Sequence, residues 1–238
     1  MRPVILKTGS TLPELRERRG DYEDWIAAGL GLELVALEVV SVYAGAELPK
    51  VSGVPAVVVT GSSAYVSDRE PWSEDAADWL AELVAAGTPV LGICYGHQLL
   101  AHALGGRVER NPRGREMGTV EIVLLPEAEG DPLLGGLGNP LSVQATHLES
   151  VTELPSGARP LGESVLDPHH AFAFGDAAWG VQFHPEFDAE VMRAYLVARR
   201  EILRAEGIAP EPLERGVADC PTGSALLKRF ADFAGFSV

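Results

Sequence analysis

Apolar and polar positions alternate along the first half of the chain in two rhythms. Short, nearly continuous apolar runs predict buried strands at Arg2–Thr8, Leu34–Val40 and Val54–Thr60, and again where Val90, Leu91 and Ile93 fall together. Helical spacing falls between them. Asp21 followed by Asp24 predicts a capped helix reaching about Leu30. Ser73–Ala86 places Ala77, Leu80, Leu83 and Val84 on one stripe with Ser73 as N-cap. Gln98–Leu104 predicts a helix burying Leu99, Leu100, Ala103 and Leu104. Ser10–Gly20 reads as a loop or a short helix, and Val42–Leu48 and Ala64–Trp72 read as connections.

After Gly105-Gly106 the rhythm changes. Arg107–Met117 is polar and turn-like, and Asp131–Leu137 predicts a short helix capped by Asp131. Thr119–Leu125, Leu141–Ala145, Arg159–Ser164 and Ala171–Phe174 predict short strands of a more antiparallel region. Trp179–Phe183 returns to the buried-strand pattern and stops at His184-Pro185-Glu186. Asp188–Glu206 predicts one long helix, and Ser224–Phe233 a last one capped by Ser224.

Strand–helix alternation predicts an α/β protein with an open, doubly wound, mostly parallel sheet, flanking helices and a small antiparallel portion. Residues 1–206 are expected to form the domain and 207–238 an extension packed on it. Ligands of such sheets bind beyond the strand C-termini, where both Gly61 and Cys94 fall. Gly61-Ser62-Ser63 after its strand fits either a simple turn or a place where backbone N–H groups meet a ligand.

Composition narrows the setting. The 238 residues are 46% hydrophobic and 22% charged, ordinary for a water-soluble domain. With neither a long apolar span nor a basic-then-apolar leader, no membrane partner is expected. A formal net charge of -15 argues against a nucleic-acid or anionic-membrane partner. Two cysteines make no disulfide scaffold, so a reducing cytoplasm is the expected compartment. His147, His169, His170 and His184 lack metal-ligand spacing, and no metal or organic cofactor is expected.

The chemistry centres on Cys94. It falls at the turn from a buried strand into a helix, with Gly92 and Gly96 on either side. Such an elbow needs small neighbours, and it sets the thiol at a helix N-terminus that favours a thiolate. His97 is expected to be partly exposed near this site, and His102 to face solvent or the core edge. A nucleophilic cysteine needs a base. His184 follows a buried strand, and Glu186 stands two residues on, close enough to orient its imidazole.

Gly92-Ile93-Cys94-Tyr95-Gly96-His97-Gln98, with His184-Pro185-Glu186, resembles class I (triad) glutamine amidotransferases. Arg115-Glu116-Met117-Gly118, Asp131-Pro132-Leu133 and Thr146-His147 are similar to the amidotransferase half of GMP synthases, whereas Gly61–Trp72 looks more like the stand-alone members. The resemblance implies a flavodoxin-like fold. It implies Cys94 as nucleophile, His184 as base and acid, and Glu186 as the orienting carboxylate. It also implies an oxyanion hole from the backbone N–H groups of Gly61 and Tyr95, and substrate contacts from Gln98, Thr146, His147, Leu148 and Glu149. Too little chain follows Glu186 for the synthetase and dimerisation domains of a GMP synthase. The expected function is therefore glutamine hydrolysis through a cysteine thioester by a stand-alone amidotransferase-like protein, supplying ammonia to an acceptor the sequence does not identify, with a separate synthetase subunit as a candidate partner. A γ-glutamyl peptide or amide hydrolase is the alternative, and a non-catalytic binding protein on the same fold is the other.

Overall fold

The computed structural model describes residues 1–236. In chain order its elements are β1 (Val4–Lys7), α1 (Pro13–Arg19), α2 (Tyr22–Leu30), β2 (Glu38–Ser41), β3 (Val57–Val59), α3 (Pro71–Ala85), β4 (Val90–Ile93) and α4 (Tyr95–Ala103). There follow β5 (Arg107–Arg110), β6 (Glu116–Leu124), β7 (Leu141–His147), β8 (Glu149–Glu153), β9 (Ala158–Glu163), β10 (Ala171–Phe174) and β11 (Ala178–Val181). The chain then runs through α5 (Ala189–Ala198), α6 (Arg200–Ala205), α7 (Pro210–Gly216) and α8 (Pro221–Phe233).

Nine strands form one mixed sheet in the order β2-β1-β3-β4-β11-β10-β9-β6-β7. The pairings from β2 across to β11 are parallel, and those from β11 across to β7 are antiparallel. The expected α/β architecture is present, with an antiparallel arm as long as the parallel one. β5 and β8 make a separate two-stranded antiparallel sheet. Side chains alternate across the parallel strands. Ile5, Val58 and Leu91 enter the core layer that holds α2, α5 and α8, whereas Val4, Leu6, Val57, Val59 and Val90 enter the layer that holds α3 and α4.

Several predicted elements shift. Leu34–Ala36 is a single 3₁₀ turn rather than strand, with Val35 81% exposed, so the second strand starts only at Glu38. Ser10–Gly20 resolves into the helix α1, with Pro13 in its first turn. α3 begins at Pro71, and Ser73 is no cap; its hydroxyl pairs with the Tyr95 hydroxyl at 2.6 Å. Asp131 does accept from the Leu133 and Leu134 amides, but only turns follow, not a helix. The polar stretch after Gly106 holds β5 and the start of β6, and β8 is a strand where none is predicted. The long helix divides at Arg199. α7 is unpredicted, and α8 starts at Pro221 instead of at Ser224. Leu226, Leu227 and Phe230 of α8 are buried in the same cluster as Ile26, Leu141 and Val143. No helix of the described residues is long and apolar enough to cross a membrane.

Candidate active site

Adjacent parallel strands β3, β4 and β11 end side by side, and the turns after them carry Gly61, Cys94 and His184. Cys94 has φ 52° and ψ -100°, a left-handed conformation that costs a residue with a Cβ of order 1–3 kcal/mol. Packing holds it there. The Cys94 amide donates to the Val181 carbonyl at 2.9 Å, and the Gly96 amide donates to Thr60 at 3.2 Å. α4 then starts at Tyr95, three residues earlier than its apolar pattern suggests.

His184 Nδ1 lies 2.7 Å from Glu186 Oε1, with both side chains buried. Nε2 is thereby left for Cys94, whose ionisation the ring's charge favours, while the thiol itself lies 3.9 Å from the Thr146 carbonyl oxygen. The ring rests on Phe187, centroid to centroid 4.1 Å, and Phe187 stacks in turn near Tyr22. Tyr22 is set by the predicted capping box: Asp21 accepts from the Tyr22 amide, and Asp24 accepts from the Asp21 amide, both at 2.8 Å. Lys7 at the end of β1 pins the same turn through Asp21 at 2.9 Å.

Burial disfavours a charged thiolate, but the charge and hydrogen bond of His184 outweigh it, and the Cys94 thiol sits below its ordinary value of 9.0. Burial likewise opposes the imidazolium, yet Glu186 and Cys94 together lift His184 to about 10. Both shifts favour the thiolate–imidazolium form of the pair over two neutral groups. Beside it, the Gly61 and Tyr95 amide N–H groups have no acceptor among the described residues. Gly61 is also sterically required: an added Cβ would stand 2.9 Å from His184 Cε1 and 3.8 Å from Cys94 Cβ.

A small polar cleft of about 50 Å³ opens over the thiol, lined by Ser62–Tyr65, Cys94, Tyr95, Gln98, Arg115, Thr146–Glu149 and Arg199. Every substrate contact expected from sequence lines this cleft. Gln98 Nε2 donates to the Glu149 carbonyl at 2.8 Å and to Gln182 Oε1 at 2.9 Å, which leaves its own carbonyl oxygen available. Thr146 Oγ1 is buried with no partner. The His147 ring is also engaged within the protein. Nδ1 lies 2.9 Å from the Glu149 carbonyl and Nε2 lies 3.0 Å from Glu116 Oε2. Both neighbours are acceptors, so both nitrogens carry protons and the ring is a cation. Burial opposes that charge, and Glu116 more than restores it.

Sequence reasoning missed four residues here: Glu116, Gln182, Ser67 and Arg199. Ser67 holds the Glu149 carboxylate through its hydroxyl and, at 3.3 Å, its amide. Glu116 also accepts from His170 Nε2 at 2.8 Å and from the Ser164 hydroxyl at 2.7 Å. Gln182 carried one signal, its place at the end of the buried strand two residues before His184. Glu116, His147 and His170 bring their ligand atoms within 4.8 Å of one another, a set that could hold a metal ion. Their hydrogen bonds already satisfy the carboxylate. His97 lies elsewhere than expected. It is fully buried against Phe172, and burial pushes it well below its ordinary value, so it is a neutral core residue. His102 sits at the core edge on Glu74, and Cys94 and Cys220 are both free thiols.

The family model of class-I glutamine amidotransferases matches residues 20–202. A GMP synthase [glutamine-hydrolyzing] of Symbiobacterium thermophilum is 36% identical over 188 residues, which cover 78% of this chain and 34% of that protein. Its counterpart from Thermus thermophilus is 42% identical over 132 residues, covering 55% of this chain and 24% of that one. The chain thus spans about a third or less of these relatives. Among solved structures, a glutamine amidotransferase from Thermotoga maritima superposes with a TM-score of 0.75 at 21% identity, covering 100% of both chains. One from Methylobacillus flagellatus gives 0.69 at 22% identity, over 98% of this chain and 92% of the other. These likenesses show the fold. The family match spans the elbow, the cleft and the His184-Pro185-Glu186 turn, and the chain belongs to the class-I glutamine amidotransferases.

Proposed function

We propose that this protein hydrolyses the side-chain amide of glutamine through a Cys94 thioester and releases ammonia to a synthetase acceptor outside these residues. One observation carries the reading. The His184 ring, held by Glu186, and two acceptor-free amide N–H groups converge on the Cys94 sulfur at a small polar cleft.

Cys94 Sγ attacks the γ-carbonyl carbon. The Gly61 and Tyr95 amides stabilise the tetrahedral oxyanion, and one such donor is typically worth roughly 3 to 4 kcal/mol. His184 passes its proton to the leaving nitrogen, and ammonia departs. The neutral imidazole then takes a proton from water, which cleaves the γ-glutamyl thioester to glutamate. Glu186 holds the ring and balances its charge throughout. Gln98, Thr146, Leu148 and Glu149 line the cleft where the substrate's α-carbon end sits, and two free thiols fit a cytoplasmic setting.

The test is ammonia and glutamate release from glutamine by purified protein. Cys94→Ala is expected to abolish turnover with the melting temperature retained, and full activity in that variant would overturn the mechanism.

A second reading has its own observation. A cavity of about 900 Å³ shares Arg115 and Leu148 with the cleft and is floored by Met117, Val120, Leu203 and Leu213. It offers room for a bulky substituent of a γ-glutamyl compound. Faster hydrolysis of apolar γ-glutamyl amides than of glutamine would favour this hydrolase reading over ammonia supply.

A further inference from the structure

Two guanidinium groups line the catalytic cleft, and they are not equivalent. Arg115 is committed: its Nε and Nη2 donate to Glu206 at 2.8 and 3.0 Å. Glu206 is the acid whose charge Arg199 feels, and that pairing occupies both of its oxygens. The Arg199 side chain has no hydrogen bond or ion pair among the described residues. Its guanidinium instead lies over the Tyr195 ring, 5.6 Å from the centroid. That platform is fixed, because the Tyr195 hydroxyl pairs with Tyr22 at 2.7 Å and with Thr11 at 2.9 Å.

Arg199 also marks the division between α5 and α6, and no proline or glycine stands there to explain it. The same cleft holds the buried carboxylate of Glu149 and the available carbonyl oxygen of Gln98. A γ-glutamyl substrate presents a zwitterion at its α-carbon, one ammonium and one carboxylate. Acceptors for the ammonium are thus in place, and one uncommitted planar cation remains for the carboxylate.

We infer that Arg199 is a specificity-determining residue that binds the α-carboxylate of the γ-glutamyl substrate. The inference rests on the glutaminase reading and names how that site selects its substrate. Kinetics of Arg199→Gln and Arg199→Lys on glutamine and on its α-amide, which lacks the carboxylate charge, test it. Arg199→Gln is expected to raise KM for glutamine roughly 10- to 100-fold. It is expected to leave kcat near wild type and to abolish the preference for glutamine over its α-amide. Arg199→Lys should recover part of that preference. A residue that merely packs on Tyr195 would move the melting temperature and not the preference, so a retained preference in Arg199→Gln overturns the inference.

Labelling of Cys94 by a glutamine-shaped diazoketone, read by intact mass, separates the two levels. Failure to label the wild type overturns the γ-glutamyl reading and this inference with it. Equal labelling rates in wild type and Arg199→Gln overturn the role of Arg199 alone.

Discussion

Gly92 and Gly96 meet across the turn that carries Cys94. A Cβ on Gly92 would stand 2.5 Å from the Gly96 carbonyl carbon and 2.8 Å from the His97 amide nitrogen. Both atoms are backbone of α4 and cannot rotate aside. Gly92→Ala is therefore expected to cost about 3 kcal/mol or more. The loss is read as a fall in melting temperature together with slower alkylation of Cys94. A wild-type melting curve would show that strand and helix have slack at this point.

What the sequence reveals, and what it hides, follows from the range of the contacts. The elbow is legible because its demands are local: small residues around the cysteine, an apolar strand before it and an apolar helix after it. Leu34–Ala36 misleads for the opposite reason. Those residues are apolar but lie beyond the four-residue register in which β1 pairs with Glu38–Ser41. β8 is hidden because it and its partner β5 are polar, with Val151 and Val108 opposite each other as the buried pair. Glu116 and Arg199 acquire meaning only from the residues the fold brings to them, 31 positions away in the case of His147.

On the proposed mechanism, Glu186 is expected to affect the rate more than the fold. Its Oε1 fixes which nitrogen of His184 faces sulfur. Glu186→Gln keeps the volume but loses the charge that sustains the imidazolium. A drop in kcat of roughly 10²- to 10⁴-fold is expected, smaller than the loss in Cys94→Ala. Equal losses in both variants would mean that Glu186 does more than orient and balance His184.

On the proposed mechanism, ionisation of Cys94 and His184 is expected to set the pH profile. On the acid side kcat/KM is expected to rise as Cys94 ionises, below the thiol's ordinary 9.0, and on the alkaline side to fall as His184 loses its proton at about 10. Stability carries the same sign. The raised His184 contributes fully below its unfolded value of 6.5, and that contribution is lost as pH rises through about 10. The lowered Cys94 contributes above 9.0 and loses its contribution as pH falls through its folded value. Above pH 9.0 the unfolded pair holds no proton while the folded pair holds one, so the pair's stabilisation falls from 9.0 to about 10. Calorimetry on wild type and His184→Asn isolates this slope; identical slopes would refute the ion pair.

Glu116 is expected to act on the thiol through His147. Burial opposes its ionisation, but hydrogen bonds from His147 and His170 hold its carboxyl well below the usual carboxylate range. Its charge keeps both His147 nitrogens protonated, and that fixed cation is a second source, after His184, of the lowered Cys94 thiol. Glu116→Gln removes the charge while retaining an oxygen that can accept from one imidazole. His147 then surrenders a proton and the thiol loses part of its support. The midpoint of Cys94 alkylation by iodoacetamide is expected to move to higher pH, and alkylation at neutral pH to slow by roughly 3- to 10-fold. A merely structural Glu116 would lower the melting temperature without moving that midpoint. An unmoved midpoint in a folded Glu116→Gln protein would therefore remove His147 from the electrostatics of the site and leave His184 as the only imidazolium that supports the thiolate.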